Sequence, residues 1–290
     1  MRFCTKPVNR KINRKIKKEA SLLHSWPHEI KQRTGSLWQR IRQTELVILV
    51  AIALIVGGVW IFIELADEVA EGDTVTLDER LLLSLRNPAD LADPLGPPWV
   101  EEMMRDFTAL GGSGVLFLLT VSVIGYLVIK RRFRGALLLG LAVGGGIILS
   151  QLLKSVFSRP RPELVPYGSY VYFASFPSGH SMLSAATYLT LGALLARLQK
   201  SRRVQIYILL LAVTITFLVG ISRVYLGVHW PTDVLAGWMA GAVWAVLCAL
   251  TMYWLQRRGQ VEATAEKIAE IRVEAGQKIL VNDLNKPQNP

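Results

Sequence analysis

Cysteine is nearly absent from this chain. The two present, Cys4 and Cys248, lie in a basic N-terminal region and an apolar run, so no disulfide framework is expected. A secretory signal is missing too. The charged region ahead of the first apolar run is too long for one, no small-residue cleavage site follows, and that run is expected to remain as an uncleaved anchor. Charge is lacking over long distances: Leu46–Ile63, Phe107–Ile129, Gly135–Leu153, Ser181–Ala196, Val204–Ile221 and Val234–Leu255 contain no acid, lysine or arginine. None shows the polar stripe by which a helix of a soluble bundle meets water. There is no internal repeat. These absences argue against a soluble domain and against a disulfide-stapled one.

What is present is apolar length. Of 290 residues, 51% are hydrophobic. A hydrocarbon core about 30 Å thick needs roughly 20 apolar residues in a helix, and the six stretches come close to that. The short fourth can be extended by its flanks. The expected fold is therefore all-α, a six-span transmembrane bundle.

The net charge of +11 invites a nucleic-acid reading, but its distribution does not fit one. Residues 1–42 hold twelve Lys/Arg against two acids, whereas 67–106 hold eleven acids and three Arg. Basic clusters return at KRRFR (130–134), RLQKSRR (197–203) and Gln256-Arg257-Arg258, after alternate spans. Lys and Arg concentrate in cytoplasmic loops. Both termini are thus expected inside, with loops 67–106, 155–180 and 222–233 outside. Three regions follow: a basic cytoplasmic tail 1–42, a membrane domain 43–258, and a cytoplasmic tail 259–290. In the last, Glu262, Glu266, Glu270 and Glu274 suggest an amphipathic helix over 261–281 with a solvated face. In the outer segment, Leu77, Leu81, Leu82, Leu83 and Leu85 among acids suggest an interfacial helix at 76–86. Gly140 with Gly144, and Gly237 with Gly241, suggest close helix contacts.

Polar residues gather at the expected outer ends of the spans. Lys154 closes the third, and Arg161-Pro162 follow. Pro177-Ser178-Gly179-His180 opens the fourth, Ser222-Arg223 closes the fifth, and His229 and Asp233 open the sixth. Ionisable groups at membrane depth are costly, which makes them functional candidates. Singly each has a plain structural explanation: a snorkelling cation, a helix-capping carboxylate, a structural histidine. Together, three cations, two histidines, one carboxylate and a helix N-terminus form a set suited to a phosphate dianion. A carboxylate on one nitrogen of His229 would leave the other free to attack. Lys154, Arg161 and Arg223 could neutralise the equatorial oxygens, and His180 could protonate the leaving oxygen. Two His and one Asp could hold zinc, but three nearby cations would repel it, so no metal and no cofactor are expected.

The residues resemble the three-part motif of the type 2 phosphatidic acid phosphatase/haloperoxidase superfamily. Lys-x6-Arg-Pro stands at Lys154–Pro162, Pro-Ser-Gly-His at Pro177–His180, and Ser-Arg-x5-His-x3-Asp at Ser222–Asp233, with every spacing kept. The resemblance implies a phosphohistidine on His229, orientation by Asp233, proton donation by His180, and phosphate held by Lys154, Arg161, Ser178, Gly179 and Arg223. It implies a metal-independent lipid phosphatase of the bacterial integral-membrane kind with its site near the outer surface; with no signal peptide or targeting motif in the sequence, an inner bacterial membrane is the expected host. Substrates of such proteins include phosphatidic acid, phosphatidylglycerol phosphate, undecaprenyl diphosphate, lysophosphatidate and lipid A; the motifs read the phosphate and do not rank the tails. No nucleic-acid partner is expected, and no oligomeric state is implied. The alternatives are a phosphotransferase from a polyprenyl diphosphate to another lipid, and a non-catalytic lipid-binding or transport protein, which the presence of His229, Asp233 and His180 disfavours.

Overall fold

A computed structural model of the chain describes residues 45–163 and 174–257. The two tails, including the expected helix over 261–281, lie outside the described residues, as does part of the 155–180 loop. The chain divides after Ile52, within the first helix, and the contacts described below lie in the unit that begins at Ala53.

The described elements are α1 (Glu45–Glu71), α2 (Val75–Leu83), a hairpin of β1 (Arg86–Asn87) and β2 (Asp90–Pro94), α3 (Pro98–Leu110), α4 (Ser113–Ile129), α5 (Phe133–Val156), α6 (Gly179–Arg197), α7 (Arg202–Tyr225) and α8 (Pro231–Arg257). Helix dominates, as the apolar periodicity predicts. Segment 67–106 holds a helix, α2, where one was expected at 76–86, and beyond it a short antiparallel hairpin that no hydrophobic pattern announces.

Four helices, α1, α5, α7 and α8, are long and apolar enough to cross a bilayer. The pair α3–α4, bent by 49°, is together long and apolar enough for a fifth, as a broken span or a re-entrant loop. The expected run from Phe107 is therefore broken. The break falls at Gly111-Gly112, where a Cβ on Gly111 would run into Val219 and crowd the His180 backbone. Large apolar side chains remain uncovered along these helices, with Phe117, Ile148 and Leu210 all at least 60% exposed. A water-soluble protein rarely leaves so much apolar surface bare; lipid covers it at no cost.

α6, the expected fourth span, fails the apolarity test for a reason its position supplies. It packs against α4, α5, α7 and α8, and thirteen of its nineteen residues are buried. A helix enclosed by protein does not need lipid-soluble side chains, so Ser181, Ser184, Thr187 and Thr190 sit inside. Its small residues allow close neighbours. Gly237 and Gly241 of α8 lie so near α6 that an added Cβ would collide with the Ser178 and Met182 carbonyls, as their spacing suggests. Gly140 and Gly144 do not behave this way: the first has only an ordinary contact and the second has open space. The tight approach in α5 is made instead by Gly145 and Gly146, against Trp244 and Ala186.

One end of the bundle is closed by a cluster of Leu127, Ala136, Leu139, Val143, Leu191, Leu194 and Met252. At the other end Phe176 is fully buried between Phe62 and Phe157, with ring centroids 6.0 and 4.8 Å away. That wedge anchors the segment leading into α6. Arg86 of the hairpin is also buried and donates to the Tyr225 carbonyl at 2.6 Å, where α7 ends. Its guanidinium lies against Gly227, which has φ +71° and no room for a side chain.

Gly241→Leu forces α8 away from the α6 backbone and should cost about 1–3 kcal/mol or more. A Cβ at Gly144 meets nothing within 4 Å, so Gly144→Ala is the control. Melting temperatures in detergent should therefore fall clearly for the first and hardly for the second.

Candidate active site

Four helix ends and one loop converge. α5 delivers Lys154 in its last turn, and the chain leaving α5 carries Arg159 and Arg161. α6 begins at Gly179 with Ser178 as its N-cap. α7 ends with Arg223 in its last turn, and α8 begins with Pro231. These ends lie away from the 130–134 and 197–203 loops, as the connectivity of α5 and α6 requires.

The start of α8 explains how His229 and Asp233 meet. Pro231 occupies the first helical position, where its missing N–H costs nothing. Asp233, two residues on, reaches back to accept the Trp230 amide at 3.0 Å, as in a capping box. That places His229 one residue before the cap, with Nδ1 3.3 Å from the same Oδ2. Ser175 donates its hydroxyl to this oxygen and lies 3.3 Å from Nδ1. On the far side of the ring, Nε2 is 3.2 Å from an Arg161 guanidinium nitrogen, which also donates to the Val228 carbonyl at 3.0 Å. Arginine can only donate. Nε2 therefore offers its lone pair, and the proton sits on Nδ1, facing Asp233.

His229 and Asp233 are buried, at 1% and 0% exposure. Burial pushes the His229 imidazolium down to about 4, against the pull of the Asp233 hydrogen bond and charge, and Arg223 and Arg161 add to the push. The ring is neutral at pH 7.

The cationic side of the cluster is assembled around the N-terminus of α6. The first amides of a helix have no intrahelical acceptor and carry its positive dipole end. Here these are the amides of Gly179, His180 and Ser181, and the Ser178 amide is tied to the Asp233 carbonyl at 2.9 Å. The Lys154 ammonium lies directly over Gly179: a Cβ there would stand 2.8 Å from Nζ. Arg223 is oriented by Thr108 of α3, which accepts from it at 2.8 Å. Lys154, Arg161, Arg223 and His229 all lie close enough to His180 to act on its charge.

Every residue picked out by the sequence motifs thus lies in this one cluster. Other residues of the cluster were not picked out. Arg159 lies inside the Lys-x6-Arg spacing and reads there as spacer. It donates to Asp233 Oδ1 at 2.8 Å, to Asp78 Oδ2 at 2.6 Å and to Thr232 Oγ1 at 2.7 Å. Asp78 comes from α2, about 150 residues away in the chain, and accepts both the amide and the hydroxyl of Thr232. Ser175 lies two residues before the Pro-Ser-Gly-His run. The one available hint was Asp78 itself, an acid on the leucine-rich face of an amphipathic helix. Among the described residues no group of three His, Cys, Asp or Glu is placed to hold a metal.

Residues 135–257 match the family model of the PAP2 superfamily. Phosphatidylglycerophosphatase B of Bacillus subtilis is 40% identical over 148 residues, 50% of this chain and 71% of that protein. A lipid A 1-phosphatase of Rhizobium johnstonii is 28% identical over 200 residues, 61% of this chain and 78% of that one. The crystal structure of a transmembrane PAP2 type phosphatidylglycerolphosphate phosphatase from Bacillus subtilis superposes with a TM-score of 0.61 at 30% identity. It covers 69% of this chain and 96% of that one.

The buried neutral His229 has a consequence for stability. Its ordinary value is 6.5 and its folded value about 4. Between these, the unfolded chain binds a proton that the folded chain refuses, so stability falls as pH drops through that window. The melting temperature should decline over this range, and His229→Gln should make the decline shallower.

Proposed function

The chain belongs to the PAP2 superfamily of membrane phosphatases, and on that premise we propose that it hydrolyses a lipid phosphate or diphosphate monoester through a phosphohistidine on His229. The observation that carries this reading is the oriented imidazole: Nδ1–H turned to Asp233, and the Nε2 lone pair turned to the cation cluster.

The phosphate of the substrate binds at the α6 N-terminus, held by the Ser178–Gly179 segment, Lys154 and Arg223, and Arg161 moves its hydrogen bond from Nε2 to a phosphate oxygen. The Nε2 lone pair then forms a bond to phosphorus as the phosphorus–oxygen bond to the leaving group breaks. His180 gives its proton to that oxygen. The ring gains positive charge, which Asp233 balances through Nδ1–H. The three cations neutralise the charge on the equatorial oxygens throughout. In the second half, water attacks the phosphohistidine and His180 takes its proton. The phosphorus–nitrogen bond breaks and inorganic phosphate leaves. No step calls on a metal.

Six membrane crossings, α6 included, with both termini inside, fit the charge bias of the loops. This topology puts the site at the extracytoplasmic face, with an inner bacterial membrane as the host. The relative at 40% identity is a phosphatidylglycerophosphatase, so phosphatidylglycerol phosphate is the first substrate to try, beside phosphatidic acid, undecaprenyl diphosphate and a lipid A phosphate.

Phosphate release by detergent-purified protein, with EDTA present, tests the reading. Release from at least one of these lipids should vanish in His229→Ala and fall by about 10⁴ in Asp233→Asn, as for other orienting aspartates. An active His229→Ala variant would remove the nucleophile assignment. Activity lost in EDTA and restored by added metal would require a different mechanism. Phosphate passed to a second lipid instead of water would identify a transferase.

A further inference from the structure

Asp233 is not held by His229 alone. Its second oxygen, Oδ1, takes a hydrogen bond from Arg159, whose other terminal nitrogen is bound to Asp78. Asp78 and Asp233 are both fully buried, and the Arg159 side chain is 9% exposed. One guanidinium therefore bridges two carboxylates out of contact with solvent. Thr232 closes the ring, accepting from Arg159 and donating to Asp78 at 2.6 Å.

We propose that Asp78, on the outer helix α2, is a positioning residue for phosphoryl transfer: through Arg159 and Thr232 it sets the orientation and the charge balance of the carboxylate that holds His229. This rests on the reading of His229 as nucleophile.

The argument is one of geometry and charge. Thr232 and Asp233 are adjacent in the first turn of α8. By accepting the Thr232 amide at 3.0 Å, Asp78 clamps that turn from outside and so fixes the direction in which Asp233 leaves it. Arg159 is two residues from Arg161, which meets His229 Nε2. Without Asp78, the Arg159 guanidinium would bind Asp233 alone or turn toward the phosphate.

Charge points the same way. The groups facing His229 and Asp233 are Lys154 from α5, Arg159 and Arg161 from the chain after it, His180 from α6, Arg223 from α7 and Asp78 from α2. As phosphorus bonds to Nε2 the ring becomes cationic amid three cations, and Asp233 must retain negative charge to oppose them. Asp78 shares Arg159 and so keeps Asp233 from being fully neutralised. A carboxylate on an outer, motif-free helix thereby becomes part of the catalytic apparatus without touching substrate.

A merely structural ion pair would also be costly to break, so the test uses readouts that stability does not move. Asp78→Asn, nearly isosteric, should lower kcat on the order of 10–100-fold, as the loss of an outer partner does for other oriented ligands. KM should stay within about threefold, since the phosphate-holding groups remain. Histidine ¹⁵N titration, assigned by difference with His229→Gln, should show His229 protonating at lower pH in Asp78→Asn and at higher pH in Arg159→Gln. If Asp78→Asn does not fold, Arg159→Lys replaces it: one ammonium cannot span two carboxylates as the fork does, so kcat should fall at similar KM. An unchanged kcat in the folded variant, or an unmoved His229 titration in both directions, overturns the proposal. Wild-type protein that releases no phosphate from any lipid instead overturns the phosphatase reading, and the titrations still decide the coupling.

Discussion

The structure turns on the carboxylate of Asp233. It is fully buried, and it accepts from the Trp230 amide, the Ser175 hydroxyl, His229 and Arg159. A buried carboxylate is tolerable only when it is this heavily hydrogen-bonded. Each donor comes from a different requirement: the amide from the cap of α8, the hydroxyl from the approach to α6, the guanidinium from the exit of α5. Satisfying one carboxylate thus brings three parts of the chain together, and the tautomer of His229 follows from the result.

The surrounding helices make that convergence mechanically firm. α6 is enclosed, rich in small and hydroxylated residues, and lets α8 approach to backbone contact at Gly237 and Gly241. In a bilayer there is no hydrophobic gain from burying leucine, so close packing of small residues and satisfied polar groups must hold helices together. The Ser178 amide bonded to the Asp233 carbonyl is the extreme case, joining the N-termini of α6 and α8 directly. The first amides of α6 and the carboxylate beside His229 are consequently referenced to one backbone contact.

The segment between α1 and α4 is more than a cover. α2 supplies Asp78 to the Arg159 bridge, the hairpin supplies Arg86 to the end of α7, and α3 supplies Thr108 to Arg223. All three contacts bear on groups adjacent to the pocket. A change in α2, the hairpin or α3 reaches the site through these contacts.

Much of this was legible in the residues themselves. Apolar run lengths predict the membrane helices, because backbone hydrogen bonding in lipid leaves helices as the form such runs take. The four-residue spacing of His229 and Asp233 predicts their meeting, and the structure makes it through a capping turn in which Asp233 accepts the Trp230 amide. Local rules of this kind need no distant partner. The tertiary structure decided what depends on one. Gly145 and Gly146, not Gly140 and Gly144, make the close approach to neighbouring helices, against Trp244 and Ala186. The run from Phe107 breaks at Gly111 because His180 and Val219 occupy the space a side chain would need. Arg159 and Asp78 find each other across more than eighty residues, and no local pattern encodes a contact whose energy exists only once both charges have left water.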